Sequence, residues 1–223
     1  MIELKFIDKS YGNQKILDKI SLNIKKGEFI SIVGPSGAGK TTLLNIIGTI
    51  EDFDKSEKSK FLINSQDITK LSDKNLSKFR NDNIGFVFQF HQLLPELTVE
   101  ENILLPTMIK GDEKDSSDKY FIELISILGI DSILNKYPNS ISGGERQRAA
   151  VARAMINKPS ILLADEPTGN LDPLVAEKIL KLLLDINKSG TSVIMTTHNY
   201  NLIRKYKKRI LKCENGYLKE ATI

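Results

Sequence analysis

The chain has 223 residues, 40% of them apolar and 27% charged, with a formal net charge of +4 and one cysteine. That is enough chain for a sizeable core, and the composition excludes disordered, fibrous and disulfide-stapled classes. A single cysteine forbids an internal disulfide and suits a reducing compartment, no apolar run approaches the roughly 20 residues that span a bilayer, and the weak, dispersed positive charge argues against a nucleic-acid groove.

Residues 1–33 read as short strands, with turns at Gly12-Asn13 and Lys26-Gly27. Met1-Ile2-Glu3-Leu4-Lys5 carries an acid early and no apolar secretory core, which gives a cytosolic expectation. The apolar run Phe29-Ile30-Ser31-Ile32-Val33 then feeds Gly34-Pro35-Ser36-Gly37-Ala38-Gly39-Lys40-Thr41-Thr42, and Leu43 to Gly48 has helical character. A G-x-x-x-x-G-K-[ST] run between strand and helix is a phosphate cradle. The glycines let the backbone wrap closely and aim N–H groups inward, and the helix start adds unsatisfied donors and positive dipole. Lys40 can reach the β- and γ-phosphates, and the Thr41 hydroxyl can ligate magnesium. The plain alternative is a tight strand–helix turn without a ligand, and the intact Gly-Lys-Thr weighs against it.

Glu51 to Lys60 is charged and poor in apolar residues and reads as an exposed loop; Phe61-Leu62-Ile63 and Asn83 to Gln89 read as strands. Thr98 and Glu101 form a capping-box pair before a short helix expected to end near Pro106. Ser116 to Gly129 has helical spacing in Tyr120, Leu124, Ile127 and Leu128, and Gly143 to Asn157 is a further helix closed by Pro159. Alternation returns with a strand at Ile161–Ala164, a long amphipathic helix opened by Asp172-Pro173, and a strand at Thr191–Thr197. The basic run 204–209 reads as a solvated helix end, and Ile210-Leu211 and Tyr217-Leu218 flank the hairpin signal Asn215-Gly216. The expected fold is α/β, a P-loop NTPase core with a mostly parallel sheet, an antiparallel β edge and a helical subdomain. It is expected as one domain over 1–223, with 1–89 and 158–223 as the core and 90–157 as the helical part.

Two further motifs carry chemistry. Asp165-Glu166 closes the strand Ile161-Leu162-Leu163-Ala164, and open α/β sheets bind ligands at the carboxyl ends of their strands. There Asp165 can hold magnesium, directly or through water, and Glu166 can take a proton from an attacking water. Without the phosphate loop, the same acids would read as a strand end before Pro167. Ser142-Gly143-Gly144-Glu145 opens a helix and is a second anion-binding start. Ser142 and Glu145 also make a capping box. Two glycines in a helix cost ~1 kcal/mol each relative to alanine, and close approach of a phosphate is a sufficient reason to keep them.

In this order and company the motifs resemble the nucleotide-binding subunit of an ATP-binding cassette (ABC) transporter over essentially the whole chain. The family's glutamine loop stands at Gln89, and its signature, usually Leu-Ser-Gly-Gly-Gln, stands as Ile141-Ser142-Gly143-Gly144-Glu145. The dimer-contact loop is Gly169-Asn170-Leu171-Asp172 and the switch histidine is His198. The resemblance implies that Gly34–Thr42 holds the phosphates of ATP, that Thr41, Gln89 and Asp165 attend Mg2+, and that Glu166 and His198 act in hydrolysis. Tyr11, which on its own reads equally as a strand-end tyrosine, takes the role of stacking on adenine. Ser142, Gly143, Gly144 and Glu145 close on the ATP of a second copy, and Asn170 and Asp172 lie between copies. Glu145 replaces the usual Gln and adds a carboxylate beside that site. His91 lacks such support and reads as surface or interface.

The segments Phe88–Asn102, Asn45–Ile50 and Glu145–Ala154 resemble the lipoprotein-releasing, macrolide-efflux and cell-division ATPases within the family. That implies an ATPase homodimer, of the lipoprotein-releasing type first, peripheral at the cytoplasmic face of the inner membrane, which moves an integral membrane permease subunit. Leu93–Pro95 would then face that subunit, and no nucleic acid is expected as a partner. The departure lies after Ile50, where the family's usual Pro and Gly are replaced by the charged 51–60 segment. The alternatives are an ATPase of another ABC exporter or importer, a soluble ABC protein outside transport, and a non-catalytic nucleotide-binding scaffold. The presence of Glu166 and His198 speaks against the last.

Overall fold

The computed structural model describes residues 1–112, 115, 117–169 and 171–221. Ser116, where one expected helix begins, and Asn170 lie outside the described residues. The chain runs through β1 (Ile2–Tyr11), β2 (Gln14–Ile24) and β3 (Phe29–Val33), then the glycine-rich loop and α1 (Lys40–Ile47). β4 (Lys60–Ile63), β5 (Gln66–Asp67), α2 (Asp73–Asn83) and β6 (Ile84–Val87) follow. Three helices come next, α3 (Val99–Lys110), α4 (Lys119–Leu128) and α5 (Gly143–Met155). The chain ends with β7 (Ile161–Ala164), α6 (Pro173–Lys188), β8 (Ser192–Thr197), α7 (Tyr200–Arg204), β9 (Arg209–Glu214) and β10 (Tyr217–Glu220).

The larger sheet has the order β10-β9-β3-β8-β7-β6, parallel except for β10. Side chains alternate faces along a strand, and here each face has its own core. Phe29 and Val33 of β3, Leu162 and Ala164 of β7, and Val193 and Met195 of β8 enter one apolar cluster with α3 to α6. Ile30 and Ile32, Ile161 and Leu163, and Ile194 enter the other. Burial on both faces is why these strands read as unbroken apolar runs. The helices of 99–155 share the first cluster with the sheet.

The antiparallel strands fall into two places. The β9–β10 hairpin edges the larger sheet, and its turn residues Asn215 and Gly216 have φ of 51° and 78°, the conformation that tight hairpins need. The remaining four strands form a separate sheet, order β2-β1-β4-β5. Its apolar residues (Ile2, Leu4, Ile7, Leu17, Ile20 and Ile24 among them) pack with α1 into the second cluster. A sheet with one apolar face must bury it against another layer.

Two helices differ from expectation. α2 had no apolar periodicity to announce it. None of its residues is fully buried; Ser72 caps it, and Leu76 and Phe79 pack partly against the second cluster. α3 has its capping box at Thr98 and Glu101 but runs through Pro106 to a left-handed cap at Gly111. Asn81 and Asn157 donate from Nδ2 to the Pro106 carbonyl at 3.1 and 3.3 Å. These tertiary bonds tie the turn at Pro106 to the end of α2 and to the turn just after α5.

The 51–60 segment is also less exposed than its charge suggests. Phe53 is buried edge-on against Phe61, with ring centroids 6.3 Å apart, and the Asp54 N–H donates to the Asp8 carbonyl at 2.8 Å. Replacing Phe53 with Ala should therefore destabilise the fold by about 3 kcal/mol. Lys55→Ala, on the exposed part, should stay within about 0.5 kcal/mol. Denaturant unfolding of the two variants checks the contrast.

Candidate active site

β3, β8, β7 and β6 are neighbours in the parallel sheet, and their carboxyl ends deliver the candidate residues to one edge. The phosphate loop leaves β3, Asp165-Glu166 leaves β7, His198 follows β8 and Gln89 follows β6. Lys40, Thr41, Gln89, Glu166 and His198 line one open cleft of about 680 Å³, with Tyr11 at its mouth.

The loop's shape follows from what crowds it. A Cβ on Gly34 would sit 2.1 Å from the Cys213 carbonyl oxygen of β9. Gly39 caps α1 with φ 93°, a left-handed conformation open to glycine. Cys213 is buried beneath, its Sγ 2.9 Å from the Ala38 carbonyl, and burial pushes its thiol up to about 11. The Lys40 ammonium, its side chain 8% exposed, donates to the Gly34 and Pro35 carbonyls at 3.0 Å each and lies 3.7 Å from Glu166 Oε1.

A second junction orders the two acids. Thr41 Oγ1 donates to Asp165 Oδ1 at 3.1 Å, and Thr196 Oγ1 donates to the same oxygen at 2.6 Å. Thr196 also accepts the Glu166 N–H at 2.9 Å. Glu166 has φ 44°, a strained state worth about 1–3 kcal/mol that persists when its surroundings over-determine it. The bonds at its N–H and at its carbonyl, which accepts from Gly169 at 2.9 Å, supply that determination. Glu166 Oε2 lies 3.0 Å from His198 Nδ1 and accepts the His198 N–H at 3.2 Å. The carboxylate is 9% exposed and the imidazole 69%. Thr196 was missed in the sequence, where it only preceded His198. A hydroxyl in a strand buried throughout was the available signal.

The residues expected to act across a dimer sit elsewhere. Ser142 to Glu145 are not among those lining the cleft. Ser142 caps α5, and Glu145 Oε2 accepts from the Ser142 N–H at 2.7 Å and hydroxyl at 2.6 Å. These bonds hold the Glu145 carboxyl below its usual range. The two glycines have different reasons to be there. A Cβ on Gly144 would meet Val175 Cγ1 of α6 at 2.9 Å, so packing alone requires that one. A Cβ on Gly143 would meet nothing closer than 3.7 Å, which leaves its face open. Asp172 uses its carboxylate to cap α6, accepting from the Leu174 and Val175 N–H groups at 3.1 and 3.0 Å. His91 is half-buried, and burial and the Arg146 charge hold its imidazole below the usual range.

Comparison with known proteins agrees with this geometry. The family model described as ABC transporter matches residues 17–169. A second model, described as AAA domain, putative AbiEii toxin, Type IV TA system, matches only 137–204. The chain is similar to the lipoprotein-releasing system ATP-binding protein LolD of Bacteroides thetaiotaomicron, 45% identical over 205 residues that cover 92% of this chain and 93% of that protein. It is similar as well to the bacitracin export ATP-binding protein BceA of Halalkalibacterium halodurans, 42% identical over 98% of this chain and 87% of that one. Among solved structures it resembles the dimeric post-hydrolysis state of the ATP-binding cassette MJ0796 bound to ADP and Pi, with a TM-score of 0.88, 39% identity, and coverage of 100% and 98%. The chain belongs to the ABC transporter family and is one of its ATPases.

Proposed function

We propose that the protein is the ATPase subunit of a lipoprotein-releasing type transporter, working as a homodimer that clamps two ATP molecules and drives an integral membrane subunit from the cytoplasmic face of the inner membrane. The observation that carries the catalytic part is the meeting of Lys40, Thr41 and the Glu166–His198 pair in one cleft, with Asp165 bonded to Thr41 behind it. On this reading, Gly34 to Thr42 wraps the phosphates, and Lys40 exchanges its loop carbonyls for phosphate oxygens. Glu166 takes a proton from water as that water's oxygen bonds the γ-phosphorus. The bond from the γ-phosphorus to the bridging oxygen breaks, and ADP leaves with that oxygen. His198 holds the Glu166 carboxylate in place and reaches the γ-phosphate from the end of β8.

The donor chemistry suits magnesium. Thr41 and Asp165 offer a hydroxyl and a carboxylate, both hard oxygens, already in contact at 3.1 Å. Among the described residues no group of three or more His, Cys, Asp or Glu could hold a metal alone, and magnesium in nucleotide sites is shared with the substrate's phosphates. Thr41, Asp165 and Gln89 would hold it, and when bound it neutralises charge on the phosphates.

The dimer is supported by the separation of Ser142–Glu145 from the cleft and by the dimeric state of the related MJ0796 cassette. The open face of Gly143 leaves room for a phosphate from the other copy. Asp172, and Asn170 two residues earlier in the chain, would lie between the copies. For the membrane subunit the support is a groove of about 520 Å³ between α2, α3 and α5, with Phe86, Phe88 and Ile109 on its apolar part and Arg80 and Arg153 on its basic part. Phe90 is 73% exposed beside Leu93–Pro95. Among the described residues no helix is long and apolar enough to cross a membrane. A second reading, the ATPase of a bacitracin-export type transporter, has the similarity to BceA in its favour. Co-purification of the membrane subunit separates the two.

Glu166→Gln should leave ATP binding intact, lower steady hydrolysis by about 100-fold or more, and accumulate an ATP-bound dimer on size-exclusion chromatography. Unchanged turnover would mean that another group is the base. Thr196→Val removes the hydroxyl that orients both acids. Its kcat should fall by roughly 10- to 100-fold, more than its KM rises, with a stability loss of about 1–3 kcal/mol on unfolding.

A further inference from the structure

Tyr11 ends β1 at the mouth of the cleft and is 50% exposed. A half-exposed strand-end tyrosine ordinarily samples several staggered χ1 wells. Here the choice is removed by the residue that follows the turn after α1. The Tyr11 phenol donates to Glu51 Oε1. Lys9 Nζ lies 3.0 Å from that same oxygen and 4.9 Å from the centroid of the Tyr11 ring. The same ammonium donates to the Asp52 carbonyl at 2.6 Å. Glu51 is fastened in turn, its N–H donating to the Asn45 carbonyl of α1 at 3.3 Å, and the buried Phe53 anchors the chain two residues on. The charge states fit the bonding. Burial acts to raise the Glu51 carboxyl, but the bonds from Tyr11 and Lys9 outweigh it and hold it below its usual range. Burial and Glu51 together push the Tyr11 phenol up. The pair is therefore a phenol donating to a carboxylate, the stronger kind of hydrogen bond.

We infer that Glu51, braced by Lys9, is the positioning residue for the nucleotide's base: it locks the Tyr11 ring so that the base meets an aromatic face already in place. The inference rests on the reading of Tyr11 as the base platform. Glu51 is not among the residues lining the cleft, so it acts through Tyr11. It also follows α1, the helix that the phosphate loop opens. One element thus sets both ends of the cleft, the cradle at its start and the ring beyond its end. A ring fixed before binding spares the ordering cost that a mobile one would add.

The test is equilibrium binding of two probes to the full chain, MgATP and inorganic tripolyphosphate, which lacks a base. Glu51→Ala and Tyr11→Phe should each weaken MgATP by about 3- to 10-fold and leave tripolyphosphate unchanged, and the double variant should be no weaker than either alone. Glu51→Gln, which keeps an acceptor for the phenol, should retain most of the MgATP affinity. Tyr11→Ala separates the two claims. If it weakens MgATP selectively while Glu51→Ala does not, the locking role is wrong and the platform stands. If it leaves MgATP unchanged, the platform fails and the lock with it. Equal weakening of both probes by Glu51→Ala would mean a general disturbance of α1 and would also overturn the inference.

Discussion

One carboxylate oxygen, Asp165 Oδ1, accepts hydrogen bonds from Thr41 and from Thr196. It joins three segments that are remote in the chain: the start of α1, the end of β7 and the end of β8. Because the Thr196 hydroxyl also receives the Glu166 N–H, the left-handed turn at Glu166 is fixed by the same junction. The catalytic arrangement rests on this knot. If it loosens, Thr41 and Asp165, the proposed magnesium ligands, and Glu166, the proposed base, lose their common reference at once, without any loss from the core.

The rest of the fold can be read as the support that keeps this junction in register. β3, β7 and β8 pair in parallel, so that Val33 lies opposite Thr197 and Ala164 opposite Met195. Each strand places alternate residues in two separate apolar clusters. A slip of one residue would turn every one of those side chains to the wrong face. The separate antiparallel sheet and α1 cover one side, while α3 to α6 cover the other. Thr196 is a buried polar group between these layers that serves the site directly.

How much of this was legible depended on whether the cause was local. The phosphate loop, the acids after β7, the caps at Thr98, Ser142 and Asp172, and the Asn215-Gly216 turn are each written in a few consecutive residues. What was missed came from pairs that meet only in the fold. Thr196 looked like the end of an apolar strand until its register with β7 put it beside Asp165. Phe53 was hidden in a charged segment, and its partner Phe61 lies across a turn. α2 carried no apolar period, because it offers the core only parts of Leu76 and Phe79. α3 was cut short at Pro106, but proline is tolerated there and the helix runs on to Lys110, its Pro106 carbonyl tied to Asn81 and Asn157 from elsewhere in the chain. Even Gly144, attributed to phosphate approach, is explained first by Val175, 31 residues away in the chain.

The central claim is that each pocket is shared: the phosphate loop of one copy faces the Ser142 end of α5 in the other. A crystal structure of the Glu166→Gln protein grown with MgATP tests it most directly. The triphosphate should lie on Lys40 of one copy with Ser142 and Gly143 of its neighbour closing on the γ-phosphate, twice per dimer. A triphosphate held by a single copy, with Ser142 of every copy facing solvent, would contradict it.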